Sequence, residues 1–337
     1  MSGRTVQIGT AEAKPGTKAK GVVHVANRPD GSAIYIPVML VNGVEEGPVL
    51  GMDGCTHGDE YEGPEAIQAL VAQLEPRQMR GTFVGVPVVN MPAFMAMQRV
   101  TPHDALSYPD VNRNYPGRAD GGLTGRIAHA HFHEIVAHTD VMISVHSGAS
   151  FAMLPAKVIY HESDDEYGRR SLEVAKVLGW EILWRSHGSY PGTLHEAAKE
   201  KGIVCVATEF GGTDRLPAHR AERTERLLTA ATNVMKFLGM LEGEPKLPPR
   251  WTVVEGESHV FANHGGLVLY EGDFELGKPV RAGQKLARIV DVYGEELESI
   301  ASPYDGVLMF LRTVPVVHPG DWVVGVGKQV RVIENRP

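Results

Sequence analysis

The stretch Pro48-Val-Leu-Gly-Met-Asp-Gly-Cys-Thr-His-Gly-Asp-Glu60 passes from a short apolar segment directly into a cluster of glycine, histidine and carboxylate residues. The apolar residues 48–52 predict a buried strand, and the polar residues begin where this strand would end. In open α/β sheets, ligand sites form at the carboxyl ends of strands, because loops and helix N-termini converge there. His57 and Glu60 are therefore the first candidates for a functional site.

Two further strands are predicted to end in residues that carry chemistry. Residues 140–145 read as a strand that leads into His146, and residues 203–207 read as a strand that leads into Thr208-Glu209. If these strands neighbour the strand of residues 48–52, two imidazoles and two carboxylates meet in one cleft.

Two imidazoles and one carboxylate, from His57, His146 and Glu60, would give zinc three protein ligands and leave a position open for water, the pattern of a catalytic site. Zinc lowers the pKa of such a water molecule and polarises a scissile carbonyl. Glu209 lies outside this set and can take the proton of the water and pass it to a departing amine. Each residue alone has a structural interpretation, such as a buried histidine or a salt-bridged glutamate. Their convergence at three strand ends favours a zinc site.

The loop around the first two candidates contains Gly54 and Gly58, which allow the tight turns that a short loop needs to point two ligands inward. Cys55 lies in the same loop and could act as a nucleophile. A small packed residue beside the metal is the better interpretation, because no His/Asn pair follows at recognisable positions. The histidine-rich residues 129–138 lack the His-Glu-x-x-His spacing of metalloprotease helices, so a solvated helix face is favoured there.

The segment Asp110-Val-Asn-Arg-Asn-Tyr-Pro-Gly117 is a second candidate for function. The guanidinium group of Arg113 is a planar fork that pairs bidentately with a carboxylate, and Asn112 adds donors beside it. A surface turn would explain the same Asn, Pro and Gly content. The residues alone leave both interpretations open.

Strands and helices alternate through most of the chain, which predicts an α/β fold with a largely parallel or mixed sheet between helical layers. Residues 242–250 are polar and rich in proline, and they predict a linker. Short apolar stretches separated by glycine turns follow, and they predict a small all-β module. The predicted organisation is a catalytic domain at 1–241 that includes N-terminal strands, the linker at 242–250 and a β domain at 251–337. Predicted strands lie at 34–41, 48–52, 82–89, 140–145, 181–184 and 203–207, and predicted helices at 61–75, 124–138, 166–178, 193–201 and 219–241.

The composition is that of an ordinary globular protein, with 43% hydrophobic and 22% charged residues among 337. The net charge is −8 and no predicted face concentrates Lys and Arg, which argues against nucleic acid or a membrane as partner. Two cysteines cannot form a disulfide framework, and Met1 to Lys20 has no apolar core resembling a signal peptide. We expect a cytoplasmic protein with a small-molecule partner, and a homo-oligomer is compatible with these features.

Taken together, these residues resemble the succinylglutamate desuccinylase/aspartoacylase family of zinc hydrolases, which are relatives of the zinc carboxypeptidases. The resemblance covers roughly residues 35–240 and implies a three-layer α/β/α core with a mixed sheet. The C-terminal module is similar to the barrel-like domain that many members carry. The segments that carry the resemblance are Gly54 to Glu60, Asn90 to Phe94, Asp110 to Pro116, Ser144 to Ser147 and Thr208 to Gly212.

The resemblance implies roles for individual residues. His57, Glu60 and His146 fall on the family's zinc ligands, which implies one zinc ion per chain, and Glu209 falls on its catalytic glutamate. His and carboxylate ligands accept several divalent ions, so the sequence does not separate zinc from cobalt or manganese.

Arg113, with Asn112, falls where relatives hold the carboxylate of the substrate, and Arg99 falls on another substrate arginine. Two departures bear on specificity. Ser144 stands where many relatives have an acidic residue two positions before the second histidine, and Asp59 stands where many have asparagine. The sequence is similar to the bacterial branch that includes N-acetyl-diaminobutyrate deacetylases of ectoine breakdown.

The predicted function is metal-assisted hydrolysis of the amide bond of a small N-acylated amino acid or diamino acid. Two alternatives stay open: a zinc carboxypeptidase that acts on short peptides, and a catalytically silent binding protein of the same fold. All four catalytic positions are present, which favours an active enzyme. The sequence leaves open the acyl group, the released amine and the number of subunits.

Overall fold

The computed structural model describes residues 3–104, 108–187 and 191–335. Within these ranges the strands are β1 Val6–Ile8, β2 Ala11–Ala13, β3 Thr17–Asn27, β4 Ala33–Asn42, β5 Glu45–Asp53, β6 Arg80–Val86, β7 Val141–His146, β8 Ala152–His161, β9 Ile182–Ser186, β10 Val204–Gly212, β11 Arg250–Phe261, β12 Gly266–Tyr270, β13 Pro279–Val280, β14 Lys285–Val290, β15 Glu296–Ala301, β16 Gly306–Arg312, β17 Val316–Val317 and β18 Trp322–Glu334. The α-helices are α1 Glu62–Gln73, α2 Met91–Met95, α3 Leu123–Glu134, α4 Glu166–Val177, α5 Leu194–Glu200 and α6 Pro217–Phe237, and short 3-10 turns lie at Pro76–Gln78, Val111–Arg113 and Val136–His138.

A 12-stranded mixed sheet forms the centre of the fold, in the order β13-β16-β18-β11-β9-β8-β10-β7-β5-β6-β4-β3. The neighbours β10, β7, β5 and β6 are mutually parallel. Strand β8 joins this group antiparallel to β10. Because the parallel strands share a direction, their carboxyl ends lie at one edge of the sheet. The predicted α/β class with a mixed sheet is confirmed.

Helices cover both faces of the sheet. Helices α1, α4 and α6 pack on one face, where Ile67 and Leu70 of α1 and Val234 of α6 belong to one buried cluster. Helices α3 and α5 pack on the other face, with Ile127 of α3 and Ala198 of α5 in a second cluster. The predicted three-layer α/β/α arrangement is confirmed. Among the helices that the structure describes, none is long and apolar enough to cross a lipid bilayer.

The sequence pattern did not reveal strand β8. Its residues include Pro155, and proline within a strand ordinarily argues against a sheet position. In the structure the register of β8 against β10 shifts between Glu209 and Gly211, which pair with Lys157 and Leu154. Pro155 therefore lies at a bulge. The regular hydrogen bonds between the strands are interrupted there, so the strand tolerates a residue without a backbone N–H. Strands were predicted in the N-terminal part, but without bounds for β3.

The C-terminal region is rich in strands, as expected, and it adds to the large sheet. Strand β11 pairs in parallel with β9, and β18, β16 and β13 follow in order. Strands β12, β14, β15 and β17 form a separate four-stranded sheet. The two sheets share one buried cluster, in which Leu308 and Val324 of the large sheet join Val268, Ile289 and Ile300 of the small one.

Candidate active site

Three strand ends meet at the carboxyl edge of the sheet. Strand β7 lies between β5 and β10, so that Asp53 pairs with Ser144 and His146 pairs with Glu209 as Cα partners. The loop after β5 carries His57 and folds back over this edge. The structure thus brings together His57, Glu60, His146 and Glu209, which line one cavity.

Glu60 lies between two imidazoles. Its Oε1 is 2.8 Å from Nδ1 of His57 and its Oε2 is 2.8 Å from Nδ1 of His146. One ligand atom from each of the three residues lies within 4.8 Å of the other two. All three side chains are buried. Two nitrogens and a carboxylate that converge in this way could hold a metal ion, and their types match the three-ligand set of a catalytic zinc site.

The electrostatics of this cluster favour a positive charge among the three side chains. Burial alone would raise the pKa of Glu60, but the two imidazoles outweigh burial and hold the pKa well below its usual range. Burial alone would lower the pKa of His146, yet the Glu60 carboxylate raises it to about 9. Either a proton or a metal cation can supply this positive charge beside the Glu60 carboxylate. The residues therefore fit a divalent cation.

The loop that carries His57 and Glu60 depends on close backbone approaches. A Cβ on Gly58 would lie 2.1 Å from the carbonyl carbon of Ala93, so no larger residue fits there. Cys55 adopts a positive φ of 49°, and its thiol donates a hydrogen bond to the carbonyl of Glu60 at 3.0 Å. Burial raises the pKa of this thiol well above its usual range, so the thiolate that a nucleophile needs is disfavoured. The interpretation of Cys55 as a packed residue is supported.

The outer nitrogens of the two histidines are also held. Nε2 of His57 lies 3.2 Å from Oδ1 of Asp110, and Nε2 of His146 lies 3.3 Å from Oγ of Ser144. Asp110 opens the segment that contains Arg113, but no role was predicted for it from the sequence. Its position beside a candidate ligand identifies it as a residue that fixes the orientation of His57.

Glu209 has a buried lysine beside it. Lys157 of β8 is the Cα partner of Glu209, is 2% exposed, and places Nζ 4.2 Å from the ring centroid of Trp184. Burial raises the pKa of the Glu209 carboxyl, while the charges of Lys157 and His146 act in the opposite direction. Lys157 was not among the residues predicted from the sequence. A single lysine within the apolar residues 152–161 was the available signal.

The predicted substrate residues occupy different parts of the cavity. Arg99 donates hydrogen bonds to Oε1 of Glu60 at 3.2 Å and to Oδ2 of Asp110 at 3.4 Å, so it contacts the candidate ligand set directly. Arg113 is exposed at the wall of the same cavity. The Oδ1 atom of Asn112 accepts a hydrogen bond from the backbone N–H of Leu194, which fixes this segment to the start of α5.

The cavity has a volume of about 670 Å³, and residues from the C-terminal region form part of its wall. His259 of β11 stacks on Trp322 of β18 with ring centroids 3.8 Å apart. The ring centroid of Phe310 of β16 lies 5.8 Å from that of Trp322. Arg312 lines the same wall and forms an ion pair with Asp321 at 3.1 Å. The C-terminal strands therefore form part of the cavity that contains His57, Glu60 and His146.

Comparison with known proteins gives the same family by sequence and by structure. The model of the succinylglutamate desuccinylase/aspartoacylase catalytic domain matches residues 46–236. The chain is 32% identical over 306 residues to the N-alpha-acetyl-L-2,4-diaminobutyric acid deacetylase of Halomonas elongata, covering 88% of this chain and 87% of that protein.

Two solved structures have nearly the same fold. A succinylglutamate desuccinylase from Silicibacter sp. TM1040 is 27% identical, with a TM-score of 0.83 over 93% of this chain and 95% of that one. The product-bound ectoine utilisation protein EutE (DoeB) from Ruegeria pomeroyi is 25% identical, with a TM-score of 0.84 over 97% of this chain and 100% of that one.

Proposed function

The chain belongs to the succinylglutamate desuccinylase/aspartoacylase family, and from this premise we propose that it is a zinc-dependent deacylase of small N-acylated amino acids. The observation that carries the proposal is the geometry of one cluster. Glu60 lies 2.8 Å from the imidazole of His57 and 2.8 Å from that of His146, and the Cα partner of His146 is Glu209.

The chemistry follows from these positions. A zinc ion held by His57, Glu60 and His146 would supply a Lewis acid for the acyl oxygen and lower the pKa of the attacking water. Glu209 accepts the proton of that water as its oxygen bonds to the acyl carbon. When the carbon–nitrogen bond breaks, the same carboxyl donates the proton to the leaving amine. The raised pKa of Glu209 suits a group that must accept a proton and then release it.

Recognition of the substrate rests on the cationic side chains of the cavity wall. Arg113 is exposed there and can pair bidentately with the carboxylate of an amino acid. Asn112 holds this segment against α5 through its bond to Leu194 and so fixes the position of Arg113. Arg99 already contacts Glu60 and Asp110, and we assign it to the part of the cavity nearest the scissile bond.

We assign the substrate class from the relative in Halomonas elongata, whose name identifies an Nα-acetylated diamino acid as its substrate. A short acyl group and a free amino acid would fit a cavity of about 670 Å³. We also propose that residues 251–337 form a domain that closes the mouth of this cavity, since His259, Phe310 and Trp322 line it. Residues 1–241 would be the catalytic domain, and 242–250 the linker.

The proposal is tested with purified protein and a panel of substrates. Zinc content is measured first, and release of amine is then followed for Nα-acetyl-2,4-diaminobutyrate, N-acetylaspartate, N-succinylglutamate and N-blocked dipeptides. The expected result is turnover of at least one acyl amino acid that chelation abolishes and added zinc restores.

Two outcomes would contradict the proposal. Preferential cleavage of the blocked dipeptides would identify a carboxypeptidase. Binding of acyl amino acids without turnover, with zinc and then cobalt or manganese restored, would identify a silent binding protein.

A further inference from the structure

The two histidines of the candidate metal centre are supported in different ways. Both turn Nδ1 toward Glu60, so both present Nε2 to the surrounding protein. Nε2 of His57 reaches the carboxylate of Asp110 directly at 3.2 Å. Nε2 of His146 lies 3.3 Å from the hydroxyl of Ser144, and no carboxylate touches it among the residues that the structure describes.

A carboxylate nevertheless lies one hydrogen bond further on. The hydroxyl of Ser144 donates to Oδ1 of Asp53 at 2.8 Å. A histidine that binds a metal through Nδ1 carries its proton on Nε2, so the bonds run in one direction, from His146 to Ser144 to Asp53. Asp53 is fully buried and Ser144 is 1% exposed, so water does not compete for these bonds.

The far side of Asp53 is closed by two more buried groups. Its Oδ2 lies 3.5 Å from Nε2 of His131, and Nδ1 of His131 lies 2.7 Å from the hydroxyl of Tyr115. Burial lowers the pKa of His131 to about 3, so its imidazole is neutral. These two rings enclose Oδ2, and the hydrogen bond that Ser144 donates to Oδ1 orients the carboxylate.

We propose that Asp53 and Ser144 are positioning residues that orient His146 toward the metal, with the Ser144 hydroxyl carrying the hydrogen bond between carboxylate and imidazole. The inference rests on the metal centre of the proposed function. It assigns to Asp53, at the end of β5, the role that Asp110 has for His57. Hydrogen-bonded partners of this kind fix the ring and its tautomer and raise the basicity of the ligand nitrogen.

The test measures metal binding without substrate. Zinc affinity is determined by competition with a chromophoric chelator, and the visible spectrum of the cobalt-loaded protein reports the ligand geometry. Ser144→Ala removes the connecting hydroxyl and Asp53→Asn removes the charge. Each should weaken zinc binding by about 10- to 100-fold, the usual effect of losing such a partner, and alter the cobalt spectrum.

The matched control is Thr82→Val, which removes another buried hydroxyl. The Thr82 hydroxyl donates a 3.1 Å hydrogen bond to Asn42 and has no contact with the candidate metal centre. This variant should leave zinc affinity and the cobalt spectrum unchanged.

A second pair of variants moves the carboxylate from position 53 to position 144. Ser144→Asp alone puts two buried carboxylates together and should bind zinc poorly, whereas Asp53→Ser/Ser144→Asp places one carboxylate beside His146 and should recover most of the affinity.

Zinc affinity of Ser144→Ala within about threefold of the wild-type value would overturn the proposal, since partners of this kind matter by tenfold or more. Failure of the double variant to improve on Ser144→Asp would also overturn it. If Asp53→Asn does not fold, Ser144→Ala and the double variant decide the question. A wild-type protein that binds no zinc would instead refute the metal centre itself, so the two failures are distinguishable.

Discussion

Glu209 and Lys157 face each other as Cα partners on the antiparallel strands β10 and β8. A buried ammonium group is thereby placed beside the carboxylate to which we assign proton transfer. Its positive charge favours the ionised form of Glu209, against the effect of burial. Lys157 should therefore contribute to setting the pH at which Glu209, in the proposed role, is ionised.

Lys157→Met removes this charge and should raise the pKa of Glu209. A base must be deprotonated to act, so the acid limb of the kcat/KM profile should move to higher pH, by about one unit. Lys176→Met is the matched control. Lys176 belongs to α4 and also lies over a tryptophan, with Nζ 4.8 Å from the ring centroid of Trp251. An unchanged acid limb in Lys157→Met would show that Lys157 does not act on Glu209.

Glu209→Gln keeps the size of the side chain and removes its basicity. We expect kcat to fall by about 10²- to 10⁴-fold while zinc content stays at the wild-type value, since Glu209 lies outside the candidate ligand set. Glu196→Gln, at another position on the cavity wall, is the control and should retain most of the activity. Substantial activity in Glu209→Gln would mean that another group moves the proton.

Removal of the metal should make stability depend on pH in a defined direction. Although burial opposes it, the Glu60 carboxylate raises the pKa of His146 in the metal-free fold from 6.5 to about 9. A raised pKa in the folded state stabilises the fold fully below pH 6.5, and this contribution is lost as the pH rises through about 9. The Tm of the metal-free protein should therefore fall across this window.

The zinc-loaded protein provides the comparison, because the metal displaces the proton and binds more tightly as the pH rises. Its Tm should exceed that of the metal-free protein, and the difference should grow from pH 6.5 towards 9. His146→Ala should lose zinc and also lose the pH dependence. Parallel melting curves with and without zinc would argue against a metal at this cluster.

Trp322→Ala tests the contribution of the C-terminal strands to the cavity. The variant removes the ring on which His259 stacks, at 3.8 Å between centroids, and should raise KM by about tenfold with zinc content unchanged. Tyr293→Ala is the control, because this side chain is 89% exposed at a hairpin tip outside the cavity wall. Equal KM values for the two variants would remove the C-terminal region from substrate recognition.

The sequence alone determined the local features of this protein. The apolar residues 48–52 predicted a strand, and β5 extends from Glu45 to Asp53 around them. The polar residues were recognisable because the preceding parts of the parallel strands β5, β7 and β10 are largely apolar. His146 is the last residue of β7, whereas Glu209 lies within β10, which continues to Gly212 beyond the end predicted at 207. The set His57, Glu60 and His146 follows from these endings and from ligand chemistry, since each belongs to a short continuous segment.

Only the tertiary structure decided which distant side chains support that set. Asp53 and Ser144 are 91 residues apart, and they meet because β5 and β7 pair in one particular register. Lys157 pairs with Glu209 through β8, a strand that was not predicted because it contains Pro155. Trp322, near the C-terminal end of the sequence, lines the same cavity. Strand order and register arise from burial summed over the whole sheet, which no local pattern records.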